Sequence, residues 1–343
     1  MLSRSAQRKN EHLSLFEKNY NLQQKNDFDE IRLVPDLIPE LGLKDIKPKI
    51  KIFNREFPHS FFINAITGGT AKAKEINQQL ATLAQKYDLA MAVGSQKIAL
   101  KEKDTRDTFE IVRKINPHGF IIANLNANQD ISQVKEAIAM INADAIQLHL
   151  NSPQELINRD GDRNFLLLNN ISKICEQISK PVIIKSVGFG ISYDNVKRLQ
   201  DLGVKYVDVS GKGGTNFIKI ENQQNLSHNL DYLTDWGLST VESLLINRKL
   251  PINLIASGGI RNPLDIIKSH ALGAKMVGVS GTFLHPLIKK NPEKLDQLIS
   301  EWIEEIPKIM LMLGKSSIDQ LYKTKTILSV KISNFLNSWD KSF

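Results

Sequence analysis

The sequence predicts a single α/β domain with the fold of a (β/α)8 barrel. Eight short apolar segments rich in β-branched residues recur at roughly 23 to 47 residues, the length of one strand-and-helix unit. Each segment is apolar throughout rather than alternating, as in parallel strands that are covered on both faces. The last two segments end in glycine-rich turns, ASGGI at 256–260 and VGVSG at 277–281. These observations favour a closed barrel over the alternative, a doubly wound open sheet.

Each predicted strand begins with an apolar or aromatic residue, a proline or a glycine. They are FFINAI from Phe61, LAMAVG from Leu89, GFIIANL from Gly119, AIQLHL from Ala145, PVIIKSV from Pro181, YVDVSG from Tyr206, INLIASG from Ile252 and MVGVSG from Met276. The segments between them have helical periodicity, such as Ile171, Ile174, Cys175 and Ile178 at i, i+3, i+4 and i+7. We therefore divide the domain into an amino-terminal arm (1–60), the barrel (61–291) and a helical extension (292–343) whose segment LDQLISEWIEEIPKIMLMLG has an apolar stripe.

Length and composition fit one large domain. The chain has 343 residues, of which 41% are hydrophobic, and no run long enough to span a membrane. The first residues, MLSRSAQRKNEH, lack the apolar centre of a secretory signal, so we expect a cytoplasmic protein without a membrane partner. The single cysteine, Cys175, excludes an internal disulfide and a cysteine metal site, and its place on an apolar helix face predicts a packing role.

The formal net charge of +8 raises the possibility of nucleic-acid binding. Lysine and arginine are, however, interspersed with acidic residues, as in KEKDTRD at 101–107, and no aromatic stacking motif accompanies them. A small polyanionic substrate accounts for local positive charge equally well. We therefore predict no nucleic-acid partner.

Polar residues end each predicted strand, and the carboxyl ends of barrel strands carry the active site. They are Thr67, Gly68 and Gly69; Ser95, Gln96 and Lys97; Asn124 and Asn126; His149, Asn151, Gln154 and Glu155; Lys185; Ser210 to Thr215; Ser257 to Arg261; and Ser280 and Gly281.

The glycine turns after the last two strands predict a phosphate site. Without a Cβ, Gly258, Gly259 and Gly281 let backbone N–H groups approach phosphate oxygens, and the following helices direct their positive ends at the same point. The alternative is that both are ordinary tight strand-to-helix turns.

Lys185 lies within the apolar segment IIKSVGFG. A lysine is rarely buried without a partner, so it is expected to point into the barrel mouth toward an anionic group, such as the pyrimidine end of a reduced flavin. A Schiff-base lysine is the rival role.

His149, Asn151, Gln154 and Glu155 form the most distinctive polar cluster. One carboxylate beside amides suits an oxygen-liganded ion that keeps its waters, namely Mg²⁺. Alternatively, Glu155 is a first-turn helix residue stabilised by the helix dipole. Spacing does not decide between these two interpretations.

The chain resembles the type 2, FMN-dependent isopentenyl-diphosphate isomerases from about Arg8 to Gly281. The resemblance rests on RKNEH at 8–12, TGG at 67–69, VGSQ at 93–96, ANLNANQ at 123–129, QLHLNSPQE at 147–155, KSVGFGIS at 185–192, VSGKGGT at 209–215, DWGLST at 235–240 and SGGIR at 257–261. The first and fifth of these motifs are specific to that family, whereas SGGIR is shared with many FMN barrels.

The resemblance implies roles for individual residues. Substrate diphosphate is expected to contact Arg8, Lys9, Lys97, Asn151 and Gln154, and Glu155 to hold Mg²⁺ against it. FMN is expected to contact Ala65, Ile66, Thr67, Gly68, Ser95, Asn124, Lys185, Ser210, Thr215, Gly259, Arg261, Ser280 and Gly281.

The resemblance also implies the reaction, which moves a double bond between isopentenyl and dimethylallyl diphosphate by adding one proton and removing another. Reduced FMN would supply a proton and an electron-rich face for the developing cation, and NADPH would only keep the flavin reduced. Gln154 and His149 are expected to orient the substrate or relay protons, and Glu221 is a candidate acid. A homotetramer or homo-octamer is expected.

Two positions depart from the family pattern. Lys97 stands where arginine is usual, which replaces a bidentate phosphate ligand with a point charge, and Phe217 stands where tryptophan is common. The polar segment 216–233 is expected to form an irregular lid or inter-subunit loop.

Two other functions stay open at this point. An FMN-dependent 2-hydroxy-acid oxidase shares SGGIR and the strand-five lysine but needs a histidine base just upstream, and the nearest candidate, His228, is distant. A non-catalytic phosphate-binding barrel is the second alternative, although it leaves RKNEH and QLHLNSPQE unexplained.

Overall fold

The computed structural model describes residues 3–158, 161–224 and 229–340. The described chain begins with helix α1 (Arg4–Asn19), which is followed by strand β1 (Ile31–Leu33) and a hairpin of β2 (Ile50–Ile52) and β3 (Arg55–Phe57). Phe53 and Phe57 of this hairpin pack against Phe120 at the amino-terminal end of the barrel. The hairpin therefore closes the barrel opposite the polar strand ends.

Eight parallel strands form a closed barrel, which confirms the predicted fold class. They are β4 (Phe61–Ile63), β5 (Met91–Ala92), β6 (Ile121–Asn126), β7 (Ala145–His149), β8 (Val182–Lys185), β9 (Tyr206–Asp208), β10 (Asn253–Ser257) and β11 (Met276–Val279). Neighbours in the barrel follow chain order, and β11 pairs with β4 to close it. Seven of the observed strands lie within the predicted apolar segments, and β6 extends one residue beyond its segment, to Asn126. The agreement arises because a strand that is buried on both faces needs apolar residues at nearly every position.

Helices cover the barrel between the strands. They are α2 (Ala71–Lys86), α3 (Lys97–Lys101), α4 (Asp107–Ile115), α5 (Ile131–Met140), α6 (Ser152–Ile157), α7 (Leu168–Gln177), α8 (Tyr193–Asp201), α9 (Phe217–Gln224), α10 (Thr240–Asn247), α11 (Pro263–Ala271) and α12 (Gly281–Ile288). Several begin at a side-chain cap that satisfies exposed backbone N–H groups: Thr70 caps α2, and Asp130 with Gln133 forms a capping box on α5.

The periodicity around Ile171 marks α7, whose Ile171 and Ile174 are buried. Cys175 is half-buried against the core, and burial raises the pKa of its thiol to about 11. The thiol is therefore protonated at neutral pH, as expected of a packing residue.

The carboxyl-terminal residues form α13 (Pro292–Met312), α14 (Ile318–Leu321), β12 (Thr326–Leu328) and α15 (Val330–Asp340). β12 pairs antiparallel with β1, which ties the two ends of the chain together. The face of α13 that packs against the barrel helices α11 and α12 buries Leu295, Ile299, Trp302, Ile306 and Met310. No helix of the described residues is long and apolar enough to cross a membrane.

Segment 216–233 differs from the irregular loop that its polarity predicts. Residues 217–224 form α9, since Ile218 and Ile220 are buried against the protein and Glu221 is buried with them. A short 3-10 turn follows at Asp231–Leu233, while residues 225–228 lie outside the described part of the chain.

Candidate active site

A cavity of about 790 Å³ lies at the carboxyl ends of the barrel strands. The carboxyl ends of the strands, or the turns that follow them, contribute to its wall from all eight strands, and one face of α1 lies across its mouth. The residues that line it and to which the family resemblance assigns a role are Lys9, Ala65, Ile66, Thr67, Ser95, Asn124, His149, Asn151, Gln154, Lys185, Ser210, Thr215, Gly259, Arg261, Ser280 and Gly281.

One end of the cavity is built from the glycine turns after β10 and β11. Gly258 and Gly259 adopt φ values of +93° and +77°, which favour glycine. A Cβ on Gly258 would lie 2.2 Å from the Gly211 carbonyl oxygen, and one on Gly259 would lie 2.8 Å from the side-chain nitrogen Nδ2 of Asn26. The backbone here is therefore packed more closely than any side chain permits, and it can present N–H groups directly to a ligand.

The end of α1 covers this glycine-rich end of the cavity. A Cβ on Gly281 would lie 3.2 Å from the Phe16 ring, and the Tyr20 hydroxyl donates a 3.3 Å hydrogen bond to Thr282 Oγ1. Phe16 is buried, and the Tyr20 ring stacks on His285 with centroids 4.7 Å apart. These contacts attach α1 to the first turn of α12.

Arg261 lies in the same wall, but carboxylates already surround its guanidinium group. It donates to Asp29 at 2.8 and 2.9 Å and to Asp265 at 3.0 and 3.2 Å. These contacts, with Asp29 first, raise the pKa of Arg261. Because two carboxylates offset its charge, Arg261 ties residues 24–29 to the turn rather than offering an unpaired cation to a phosphate.

Lys185 is buried in the centre of the barrel mouth. Its Nζ lies 2.9 Å from Asp208 Oδ2 and 3.1 Å from Ser257 Oγ. Asp208 is fully buried and also accepts hydrogen bonds from the Ser257 hydroxyl and the Ser210 N–H group. This ion pair holds Lys185 Nζ against a buried carboxylate, which favours the charge role over the Schiff-base role.

Amide side chains cross the barrel interior from Asp208 to His149. Asn64 Nδ2 lies 2.9 Å from Asp208 Oδ2, Gln147 Nε2 lies 2.9 Å from Asn64 Oδ1, and Asn124 Nδ2 lies 3.1 Å from Gln147 Oε1. His149 Nδ1 lies 3.0 Å from Asn124 Oδ1. Burial lowers the pKa of His149 to about 4, with further contributions from nearby lysines, so its imidazole is neutral near pH 7.

The Glu221 carboxylate of α9 is contacted by donors from two other parts of the chain, α6 with its C-cap and α1. Its carboxylate accepts from Gln154 Nε2 at 2.6 Å, Asn158 Nδ2 at 2.7 Å and Arg8 at 3.2 Å, and His12 Nε2 lies 3.2 Å away. Burial alone would raise the pKa of Glu221, but the His12 ring, the Arg8 charge and the Gln154 amide outweigh it and lower the pKa to about 2. Glu221 is therefore a carboxylate at neutral pH.

Gln154 connects this carboxylate to the cavity wall. Its Oε1 accepts a 2.5 Å hydrogen bond from Asn151 Nδ2, while its Nε2 donates to Glu221. Asn151, Gln154 and Glu221 are all buried, and the first two line the cavity. Both functional groups of the Gln154 amide are thus held in one orientation.

Lys9 reaches the cavity from α1. Its Nζ donates to the Ser95 carbonyl at 3.0 Å and lies 5.4 Å from the centre of the Phe109 ring. Burial lowers the pKa of Lys9 to about 7, and Glu102 offsets only part of this effect. An anion bound beside Lys9 would compensate the desolvated charge.

Five residues to which the family resemblance assigns a role lie outside the cavity lining. They are Arg8, Gly68, Lys97, Glu155 and Glu221. A Cβ on Gly68 would clash with the Phe109 ring, so this glycine serves packing. Lys97 pairs with Asp162 at 3.2 Å, and Glu155 Oε2 accepts from the Asp162 N–H group at 2.9 Å.

Glu155 does not belong to a preformed metal cluster. Within 3–158, 161–224 and 229–340, no group of three or more histidine, cysteine or acidic residues is placed to hold a metal ion. A Mg²⁺ ion at Glu155 would need water or ligand oxygens to complete its shell, which is the usual state of this ion in proteins.

Comparison with known sequences decides the family. Isopentenyl-diphosphate delta-isomerase of Latilactobacillus sakei is 42% identical to this chain over 97% of the chain and 96% of its own length. The enzyme of Limosilactobacillus reuteri is 44% identical over 98% of both, and that of Staphylococcus aureus is 42% identical over 96% and 95%. The chain belongs to the isopentenyl-diphosphate delta-isomerase family. The resemblance carried by the sequence motifs is thereby confirmed.

This isopentenyl-diphosphate delta-isomerase family member also matches the FMN-dependent dehydrogenase family over residues 96–328. Among solved structures, mandelate oxidase is similar to it with a TM-score of 0.62 and 14% identity over 93% of this chain and 91% of that one. At that identity the likeness shows the fold alone. His228, the residue weighed as an oxidase base, lies outside the described residues.

Sequence reasoning missed three polar residues of this family member's site: Asn64, Gln147 and Asp208. Each lies between apolar residues within a strand segment, in FFINAI, AIQLHL and YVDVSG. A lone amide or carboxylate in a strand that is buried on both faces requires a hydrogen-bonding partner, so this isolation was the available signal.

Proposed function

We propose that the protein interconverts isopentenyl diphosphate and dimethylallyl diphosphate, as the names of its relatives suggest. The observation that carries the proposal is the buried line Asn151, Gln154 and Glu221 at one end of a cavity whose other end consists of glycine turns. This arrangement suits a proton transfer beside a bound, phosphorylated cofactor. Membership of the family supports the same conclusion.

FMN fits the residues that line the cavity. The close-packed turns at Gly258 and Gly281 would hold its phosphate, while Ser95, Asn124 and Lys185 would face its ring. When bound and reduced, FMN supplies a proton-bearing, electron-rich ring system against which a cationic transition state is stabilised. NADPH would serve only as the reductant.

Lys9 and Arg8 would bind the substrate diphosphate from α1. Lys9 is a half-buried cation that pairs only with a backbone carbonyl in the described structure, so a diphosphate oxygen would be a stronger partner. Arg8 contacts Glu221, so its N–H donors would have to be divided between the Glu221 carboxylate and the substrate diphosphate. Glu155 would hold Mg²⁺, with the phosphate oxygens completing the metal shell.

Glu221 and His149 are both unprotonated at neutral pH, because their pKa values are lowered to about 2 and about 4, so either group could act only as a proton acceptor at the start of the reaction. Glu221 is a carboxylate, so it would act as the acid of the sequence-based hypothesis only after accepting a proton. Gln154 lines the cavity and would orient the reacting carbon, and it would connect that carbon to Glu221 behind it, since both ends of its amide are held. The position of α1 across the cavity mouth would exclude water from the reaction.

An anaerobic assay tests the proposal. Purified protein is incubated with isopentenyl diphosphate, FMN, Mg²⁺ and NADPH in heavy water, and mass spectrometry follows dimethylallyl diphosphate and deuterium uptake. We expect product and exchange that require both flavin and reductant. Flavin-bound protein with neither product nor exchange would contradict the isomerase function and favour another FMN-dependent reaction.

Assembly into a homotetramer or homo-octamer remains a prediction of the family resemblance. Light scattering coupled to size-exclusion chromatography measures it directly, and a monomeric mass at assay concentration would contradict it.

A further inference from the structure

A continuous line of hydrogen-bonded side chains runs through the barrel interior from the Lys185–Asp208 ion pair to His149 at the cavity wall. Asn64, Gln147 and Asn124 are its intermediate members, and all three are buried. The four links between Asp208 and His149 measure 2.9, 2.9, 3.1 and 3.0 Å. A buried line of this kind has a direction, because each amide has one donor end and one acceptor end.

The direction is determined at Asp208. Its carboxylate receives the Lys185 ammonium, the Ser257 hydroxyl and the Ser210 N–H group, so it can only accept hydrogen bonds. Asn64 must therefore turn its NH₂ group toward Asp208. A second contact requires the same orientation, since Asn64 Oδ1 accepts a 2.8 Å hydrogen bond from the Ala65 N–H group.

The remaining orientations follow link by link. The Asn64 oxygen accepts from Gln147, so Gln147 directs its NH₂ group to Asn64 and its oxygen to Asn124. Asn124 must donate to that oxygen with its NH₂ group, which leaves its own oxygen facing His149 Nδ1. Any reversal would place two donors or two acceptors together in the barrel interior, at a substantial free-energy cost.

We propose that Asn64, Gln147 and Asn124 are positioning residues that hold His149 in the Nδ1–H tautomer and so present Nε2 as a hydrogen-bond acceptor at the active site. The protonated nitrogen is the one that meets the Asn124 oxygen. A carboxylate on the far side of the barrel thereby determines which kind of ligand atom His149 can meet.

This tautomer restricts what binds beside His149. An N–H or O–H group of a bound molecule or of water can donate to Nε2. An unprotonated phosphate oxygen would instead be repelled by the Nε2 lone pair. The inference rests on the proposed function only in taking His149 as a residue that meets the ligand.

Nitrogen NMR of the full chain with ¹⁵N-labelled histidine tests the proposal, with and without FMN, near pH 7.5. The correlation pattern of the two ring nitrogens with the carbon-bound ring protons distinguishes the tautomers, and the His149 signals are identified by their loss in His149→Gln. We expect the Nδ1–H form in roughly tenfold or greater excess. A predominant Nε2–H form in the wild-type protein would overturn the proposal without requiring any further variant.

Two matched variants test whether the line of amides determines the His149 tautomer. Gln147→Met breaks the line, so both tautomers of His149 should become populated. Gln96→Met removes an equally buried glutamine that contacts the Asn124 backbone N–H group rather than its side chain, so the tautomer ratio should not change. Equal shifts in the two variants, or an unchanged ratio in Gln147→Met, would contradict the amide line as the cause. These readouts do not depend on turnover, so failure of the isomerase proposal would be seen separately.

Discussion

The two ends of the cavity are built in different ways. The glycine-rich end consists of backbone from two short stretches, 257–261 and 278–282, whose shape depends on the absence of side chains. The opposite end consists of side chains from α1, α6 and α9, and its central contact joins Arg8 to Glu221 across 213 positions of the chain. The first end is a local motif, whereas the second exists only in the folded protein.

The difference has an electrostatic side. At the glycine end, Arg261 is offset by Asp29 and Asp265, so that backbone N–H groups and helix ends remain to meet an anion. At the other end, Lys9 has no carboxylate within ion-pair distance in the described structure, and Glu221 is a buried carboxylate surrounded by donors. We therefore expect anion binding at the first end to depend on backbone shape, and proton transfer at the second end to depend on charge balance.

The largest effect should come from Glu221→Gln, which removes the buried charge while keeping the side-chain volume. We expect kcat to fall by about 10²- to 10⁴-fold, the usual contribution of an acid or base. Steady-state assays under anaerobic conditions measure it. Gln223→Ala is the control, because Gln223 also joins α9 to α1 through Asn19 but does not touch Glu221. A similar loss in both variants would mean that Glu221 acts by docking α1.

Gly259→Ala should break the glycine-rich end. The added Cβ would meet Asn26 and Gly213 within 3 Å at a φ of +77°, so we expect the Kd for FMN to rise by about tenfold or more. Gly203→Ala is the matched control, since Gly203 has a φ of +83° but open space around its Cβ position. Flavin fluorescence titration compares the two. If the two variants weakened FMN binding equally, the effect would come from backbone strain alone.

Lys9→Met should raise KM for the diphosphate substrate by about tenfold while changing kcat less, because a charged hydrogen bond is lost. The pKa of Lys9 is lowered to about 7, so the wild-type ammonium is lost as pH rises through 7, and KM should rise with it. The variant should lack this pH dependence. Lys18→Met, an exposed position on the same helix, is expected to retain it. A pH-dependent KM in Lys9→Met would assign the titration to another group.

Arg261→Lys should have the smallest effect, on stability rather than catalysis. Lysine cannot reproduce the paired contacts with Asp29 and Asp265, and because Asp29 is partly exposed we expect a loss of about 1 kcal/mol. Calorimetry should show a Tm lower by about 1 to 3 °C, and the exposed Arg198→Lys should show no change.

The pH dependence of this pair has a defined sign. The Arg261 contact lowers the pKa of Asp29 below its ordinary value of 3.8. Its stabilising contribution is therefore present above pH 3.8 and is lost as pH falls through the lower folded-state value. A stability difference between the wild-type protein and Arg261→Lys that did not diminish as pH falls below 3.8 would contradict this assignment.

The contrast between the two ends explains how far sequence reasoning reaches. The eight strands and the turns at Gly259 and Gly281 were predictable, because burial on both faces and the need for close backbone approach act on neighbouring residues. The location of the Asn151 and Gln154 amides at the cavity was also predictable, since both residues follow the end of a strand.

Other features depend on tertiary partners. The pairing of Lys185 with Asp208, the enclosure of Arg261 by Asp29 and the anionic state of Glu221 arise where distant segments meet. The same holds for α9, whose polar sequence suggested an irregular loop until burial of Ile218 and Ile220 made it a helix. Local propensity is a weak guide where tertiary packing supplies the stability.

Helix α1 contacts both ends of the cavity, and the spacing of its residues fixes the distance between those two sets of contacts. Lys9, His12, Leu13, Phe16 and Tyr20 all face the cavity, and Lys9 and Phe16 are seven residues apart, about two turns or 10.5 Å. One alanine inserted between these residues would rotate one half of the helix by about 100° relative to the other. Either the aromatic side chains over Gly281 or the cations beside Ser95 and Glu221 would then face away from the cavity. The spacing between the contacts at Gly281 and those at Ser95 and Glu221 can therefore change only by whole helical turns, and not by single residues.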